Sequence, residues 1–203
     1  MAIFKPAGAD NGGNSSKFYG IIPVAITDFT NKSGEWSWAD LFLSVTLNVE
    51  GSDYDKFLEI KGEFEKDGNG DISGGSVLNR LYKFFELIGC DAGLSVKNEW
   101  EDPDGNPIAD IASYLRQRHV TGNPASTKYD FVAYIYKRKP QPGKKAYSTV
   151  HTRLFPNTDK GKADLASHVE WMKTKGYIKE ATESEAGPIA NGETPVLVRG
   201  DNL

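Results

Sequence analysis

The chain has 203 residues, of which 38% are hydrophobic and 11% aromatic, and a formal net charge of −4 at pH 7. This length suits one domain with a sizeable core, and the apolar content excludes disorder of the whole chain. The acidic balance excludes a uniformly basic surface, so any anion-binding surface must be local. A single cysteine and the lack of any apolar run near the roughly 18 residues of a membrane span favour a cytoplasmic protein.

The N-terminal residues are predicted to form a flexible arm over 1–17, because 7–17 contain three glycines and no large apolar side chain. The folded domain is expected over 18–180. Its first strand is predicted over 19–29, a β-rich run.

The second predicted strand covers 36–50, where every odd position from Leu41 to Val49 is apolar. This alternation places one face in the core and the other in solvent. The same register puts Trp36, Trp38 and Phe42 together on the side opposite the core, where another protein layer or nucleic-acid bases would have to cover them. A bulge near Asp40 would instead turn the two tryptophans into the core.

The middle of the chain predicts a third strand over 54–64 and a helix over 76–89, started by Ser73 or Ser76 and ended by Gly89. A helical insertion follows around 91–127. It begins as an exposed polar connection, and Asn106-Pro107 then starts a short helix that reaches about His119.

The last structured part is predicted to be an antiparallel hairpin, with strands over 129–138 and 145–155. A helix capped by Asp159 and ended by Gly176 comes next. The residues 181–203 read as a polar C-terminal tail.

This order of elements predicts an α+β protein, mainly antiparallel β: a five-stranded OB-type barrel with inserted and C-terminal helices. OB barrels place a helix between their third and fourth strands, and they bind oligonucleotides and oligosaccharides. A helix-covered antiparallel sheet would have the same order.

The predicted hairpin is strongly basic, because no Asp or Glu occurs between Phe131 and Thr158 while six Lys and Arg do. Such cations contact successive phosphates, and aromatic side chains among them stack on bases. Basic hairpins are also common as solvated protrusions, and strand tyrosines often fill cores. The candidate nucleic-acid-binding residues are Trp36, Trp38, Phe42, Tyr134, Tyr136, Lys137, Arg138, Lys139, Lys144, Lys145, Tyr147, His151, Arg153 and Phe155.

No pattern typical of catalysis occurs, since the three histidines are widely separated and no nucleophile, phosphate-loop or metal-ligand spacing is visible. We therefore expect no enzyme activity, no cofactor and no metal. The acidic pairs Asp53/Asp55 and Asp102/Asp104 leave a metal-dependent nuclease as one alternative function.

The layout over residues 18–155 resembles phage-encoded single-stranded DNA-binding proteins of the OB type. It shares a long second strand ending Val49-Glu50-Gly51, a helix around 81–89 and a late basic hairpin. The resemblance implies coating of single-stranded DNA during phage replication or recombination in the host cytoplasm, with replication or recombination proteins as partners. RNA binding and homo-oligomerisation stay open. The second alternative is a non-enzymatic protein-interaction or virion component with Trp36 and Trp38 in a subunit interface.

Overall fold

A computed structural model of the protein describes residues 19–121 and 128–182. Within these residues, nine strands and three α-helices follow one another, and a π-helical turn over Gln117–Thr121 continues the second helix. In chain order they are β1 (Gly20–Asn31), β2 (Leu41–Val49), β3 (Asp55–Gly62), β4 (Glu65–Lys66), β5 (Ile72–Gly74), α1 (Ser76–Ile88), β6 (Gly93–Leu94), β7 (Trp100–Glu101), α2 (Ile111–Arg116), β8 (Phe131–Arg138), β9 (Tyr147–Pro156) and α3 (Asp159–Thr174).

The main sheet has five strands in the order β3-β2-β1-β8-β9, and every neighbouring pair is antiparallel. Pairs β4–β5 and β6–β7 form two small separate hairpins. The prediction of an α+β protein with mainly antiparallel strands is therefore confirmed. The edge strands β3 and β9 point the same way and come within 8 Å of each other, Cα to Cα, but no ladder of hydrogen bonds between these two described strands closes the sheet.

The main core fills the inner face of this sheet. All five odd-numbered residues from Leu41 to Val49 are buried there, as the alternation predicted, together with Leu58 and Ile60 of β3. Helices α1 and α2 contribute their apolar sides. Removing so much apolar surface from water is the main force that holds the sheet and the two helices together.

A second, smaller apolar cluster lies on the outer face of the sheet, where Leu165 and Val169 of α3 pack on Val132 and Tyr134 of β8. None of the outward-facing residues of β2 and β3, all of which the structure describes, belongs to either cluster. The outer face of β2 and β3 is thus the part of the sheet that α3 leaves uncovered.

The second strand is shorter than predicted. It begins at Leu41, because the preceding residues form turns in which the Ala39 N–H donates to the Trp36 carbonyl at 3.2 Å. The prediction that its outer face is wet is also wrong in part, since Phe42 and Ser44 are buried.

The inserted helix starts four residues later than predicted. The Ile108 N–H donates to the Trp100 carbonyl at 2.7 Å, which holds the chain beside β7. The Asp110 carboxylate then accepts from the N–H groups of Ala112 and Ser113 and begins α2. The connection before it contains the β6–β7 hairpin.

Two predicted helix caps are also wrong. Helix α1 has Gly75 at its N-cap, with no side-chain cap bond, and α3 is capped by Thr158, whose hydroxyl accepts from the Gly161 N–H at 3.0 Å. The predicted C-terminal stops are confirmed, because Gly89 and Gly176 both adopt positive φ. The predicted arm, residues 122–127 and the tail from 183 lie outside the described residues, and no described helix is long and apolar enough to cross a membrane.

Candidate nucleic-acid interface

The loop between β1 and β2 and the start of β2 carry a row of three aromatic rings, here called the aromatic cluster: Trp36 and Trp38 lie in the loop and Phe42 on β2. Ring centroids lie 6.4 Å apart for the tryptophan pair and 6.3 Å apart for Trp38 and Phe42. Trp38 is 46% exposed and Phe42 only 5%. The cluster therefore consists of a half-exposed indole, Trp38, packed against the buried ring of Phe42.

Two lysines lie over these rings. The Lys32 Nζ is 5.5 Å from the Phe42 centroid, and the Lys61 Nζ is 4.8 Å from the same centroid and 5.9 Å from that of Trp38. Cations at such distances are attracted to the ring face. Sequence reasoning missed both lysines, although pairing β2 with β3 in register places Lys61 opposite Phe42.

The loop is tied down at both ends. The Phe42 N–H donates to the Ser33 hydroxyl at 2.9 Å, while the Asp40 carboxylate accepts from the Phe64 N–H at 2.9 Å and pairs with Lys66 at 2.7 Å. Partial burial raises the pKa of Asp40, but these hydrogen bonds outweigh it and hold the pKa below its usual value. The aromatic cluster is therefore held in place before any ligand arrives.

The outer face of β2 and β3 continues from this cluster. Phe57 is 40% exposed and faces Thr46 across the two strands. It lies four residues from Lys61, or roughly 13 Å along the strand. Between them Glu59 pairs with Lys61, with 2.5 Å between the carboxylate oxygen and Nζ. Phe57 is a second stacking candidate that sequence reasoning did not single out.

The end of β8 and the loop that follows it, here called the basic loop (137–146), carry five of the six predicted cations. Arg138, Lys139, Lys144 and Lys145 are exposed, and Lys137 is half-buried. Tyr147 is 49% exposed, and its hydroxyl accepts from Arg138 Nη1 at 3.1 Å.

Tyr134 and Tyr136, by contrast, lie on the α3 side of β8. Their rings stack with centroids 5.6 Å apart, and Tyr134 is only 9% exposed. Its hydroxyl donates to Glu180, and Lys173 Nζ lies 5.1 Å from its ring centroid. Burial, together with the Glu180 bond, raises the pKa of Tyr134. These tyrosines support α3 rather than present open faces.

His151, Arg153 and Phe155 also lie towards α3. The His151 ring is 3% exposed and 5.1 Å from His168 of α3, whose ring is also 6.2 Å from that of Phe155. The Arg153 N–H donates to His151 Nδ1 at 3.3 Å. Burial, and then the charge of His168, lower the pKa of His151 to about 4, so the buried ring is neutral at pH 7.

The predicted residues thus divide among three places: the aromatic cluster, the exposed basic loop, and the packed side of β8 and β9 beneath α3. The structure adds two exposed aromatic side chains near the end of α3, Trp171 (51%) and Tyr177 (67%), which the sequence pattern did not single out. Across residues 19–121 and 128–182, no three His, Cys, Asp or Glu side chains gather as metal ligands. The chain matches no protein-family model, no curated protein and no solved structure.

Proposed function

We propose that the protein binds single-stranded DNA without sequence preference, as an OB-type fold and without catalysis. The observation that carries this proposal is the half-exposed Trp38 with Lys61 above it, beside a sheet face that no described helix covers. A ring and a cation side by side match the alternation of base and phosphate along a single strand.

The topology supports the OB assignment. The strand order β3-β2-β1-β8-β9, the helix α1 between the third and fourth long strands, and the approach of β3 to β9 agree with a partly open five-stranded barrel. OB folds bind their ligands on strands 2 and 3 and on the loops between strands 1–2 and 4–5. Those parts correspond here to the outer face of β2–β3, the aromatic-cluster loop and the basic loop.

The two loops lie at opposite ends of β1. The aromatic-cluster loop follows Asn31, whereas Gly20, at the other end, pairs with Ile135 shortly before the basic loop. A strand lying across the β2–β3 face would be contacted by rings at one end and by cations at the other. Duplex DNA keeps its bases stacked inside, so only a single strand gains the stacking energy, about 1–3 kcal/mol per base.

The cellular role we propose is the coating of single-stranded DNA during phage replication or recombination, alongside replication or recombination proteins. This part of the proposal rests on the family resemblance. Exposed aromatics are also enriched at protein interfaces, so the exposure of Trp38 also supports the second candidate, a protein-interaction or virion component.

The test is a titration of the protein with fluorescent oligo-dT at several salt concentrations, alongside duplex DNA of equal length. We expect preference for the single strand and a log–log salt slope of about −2 to −4, from a handful of phosphate contacts. No binding at low salt, together with a stable oligomer, would instead favour the interaction protein.

A pair of variants ties the binding to this face. Trp38→Ala should weaken oligo-dT binding about tenfold through lost stacking. Tyr82→Ala is the matched control, because Tyr82 is a similarly exposed aromatic (41%) on α1. If Trp38→Ala and the wild-type protein bind oligo-dT with equal affinity, the binding site does not include the aromatic cluster.

A further inference from the structure

A cleft of about 370 Å³ opens between the basic loop and the segment that follows α3. The walls are Arg138 to Pro142 on one side and Tyr177 with Lys179 on the other. This volume falls within the range of small-ligand sites. None of the described residues that line it is Asp or Glu.

The segment after α3 is hydrogen-bonded to the end of β8. The Lys139 N–H donates to the Lys179 carbonyl at 2.8 Å, and the Ala181 N–H donates to the Lys137 carbonyl at 2.9 Å. The Ile178 side chain, 5% exposed, packs into the cluster beneath α3. Two chain segments far apart in sequence therefore form one fixed cleft.

The charge in the cleft is one-sided. Arg138, Lys139 and Lys179 supply three cations. The neighbouring carboxylate, Glu180, is directed away, because it accepts from the Tyr134 hydroxyl and pairs with Lys173 at 3.0 Å. An anion entering the cleft therefore meets these cations, and the Glu180 carboxylate is already paired with Lys173.

An aromatic platform borders these cations. Tyr177 is 67% exposed, and its ring centroid lies 5.9 Å from that of Trp171. The indole in turn stacks on His168 at 5.9 Å with an interplanar angle of 20°. His151 and His168 lie beneath these two rings, while Tyr177 and Trp171 themselves are exposed to solvent.

We propose that this cleft holds a phosphodiester of the bound single strand between Arg138, Lys139 and Lys179, while the adjoining base stacks on Tyr177. The inference rests on the proposed single-strand binding and extends it, because it brings the strand from the basic loop onto the end of α3. The contacts made there are independent of base identity.

The test uses the full chain and a dT oligomer of about 20 nucleotides, longer than the 4–16 that one OB fold covers. Tyr177→Ala/Lys179→Ala should bind about tenfold more weakly. Lys179→Ala alone should reduce the magnitude of the salt slope by about 0.7, the value for one phosphate on a single strand. Lys175→Ala is the matched control, since Lys175 is an exposed lysine outside the cleft.

The outcomes separate the two proposals. If the wild-type protein and the double variant bind oligo-dT equally well, the cleft proposal is wrong while the proposal of single-strand binding stands. Wild type that does not bind oligo-dT overturns both. An equal loss in Lys175→Ala also overturns the cleft, since the effect would then be one of overall charge. Lys179→Glu, with its side chain on the surface, should bind more weakly than Lys179→Ala.

Discussion

Phe42 shows that a side chain that points away from the core can still be shielded from solvent. The alternation of β2 correctly turns its side chain away from the main core, yet the ring is 5% exposed because Trp38, Lys32 and Lys61 lie against it. All three rings of the aromatic cluster were expected to be exposed, and Trp38 is exposed in this way. Within the aromatic cluster, Phe42 is the base and Trp38 the contact surface.

Glu59, on the outer face of β2 and β3, opposes the binding of a phosphate. Its carboxylate lies 2.5 Å from the Lys61 Nζ, where it competes with a phosphate. Because both groups are partly exposed, we expect Glu59→Gln to strengthen oligo-dT binding only about two- to fivefold at low salt, with the gain lost at high salt.

The control for this change is Glu86→Gln, which removes the same charge from an exposed position on α1. Titrations of both variants at two salt concentrations separate a local effect from one of net charge. An equal gain in the two variants would contradict a role for Glu59.

Among the elements, α3 determines how much of the outer face of the sheet is open to a ligand. The sequence pattern of 159–176 predicted this helix, and the structure confirms it over Asp159–Thr174. Its position on β8 and β9 was not predictable from that pattern, and this position turns Tyr134 and Tyr136 into supporting residues.

The docking of α3 depends on Gly161. A Cβ atom there would lie 2.0 Å from the Pro156 carbonyl oxygen, a backbone atom that cannot rotate aside. We expect Gly161→Ala to destabilise the protein by about 2–3 kcal/mol, because the helix must shift away from the end of β9. Chemical denaturation measures the change.

Gly34→Ala serves as the control, since a Cβ at Gly34 meets nothing within 4 Å. Its stability should stay near that of wild type. A Gly161→Ala variant as stable as Gly34→Ala would show that α3 is not held this close to β9.

At the scale of the whole molecule, the sheet is packed on both faces, with a large inner core and a small outer one. His151 is buried against His168 of α3, and burial lowers the pKa of both histidines. Groups of this kind make stability depend on pH, because the unfolded chain binds protons that the folded chain does not.

We expect stability to fall as the pH drops from about 6.5 to about 4. The pKa of His151 is about 4 in the folded state and near 6.5 when unfolded, so protonation favours unfolding throughout this window. The loss from this one histidine is about 3 kcal/mol.

Denaturation midpoints measured between pH 7.5 and 4.5 test this expectation. His151→Leu should flatten the profile, whatever it does to stability at pH 7.5. A wild-type profile that is already flat, or an unchanged slope in the variant, would contradict the role of His151.

The sequence by itself determined what depends on neighbours along the chain. Alternation in 41–49, helical spacing in 76–89 and the acid-free basic stretch of 131–158 all correspond to observed elements. These signals are local, because periodicity and turn residues act within one element. Caps and helix starts were less predictable, since hydrogen bonds such as that of Ile108 to Trp100 moved them.

Only the tertiary structure decided which surfaces stay open. Lys32 and Lys61 meet Phe42, α3 covers Tyr134, and Tyr177 comes to lie beside Arg138. Each of these contacts joins segments separated by at least ten residues, and most by many more. Periodicity along one strand or helix states which face is apolar but not which other element covers it, so such contacts follow from packing alone.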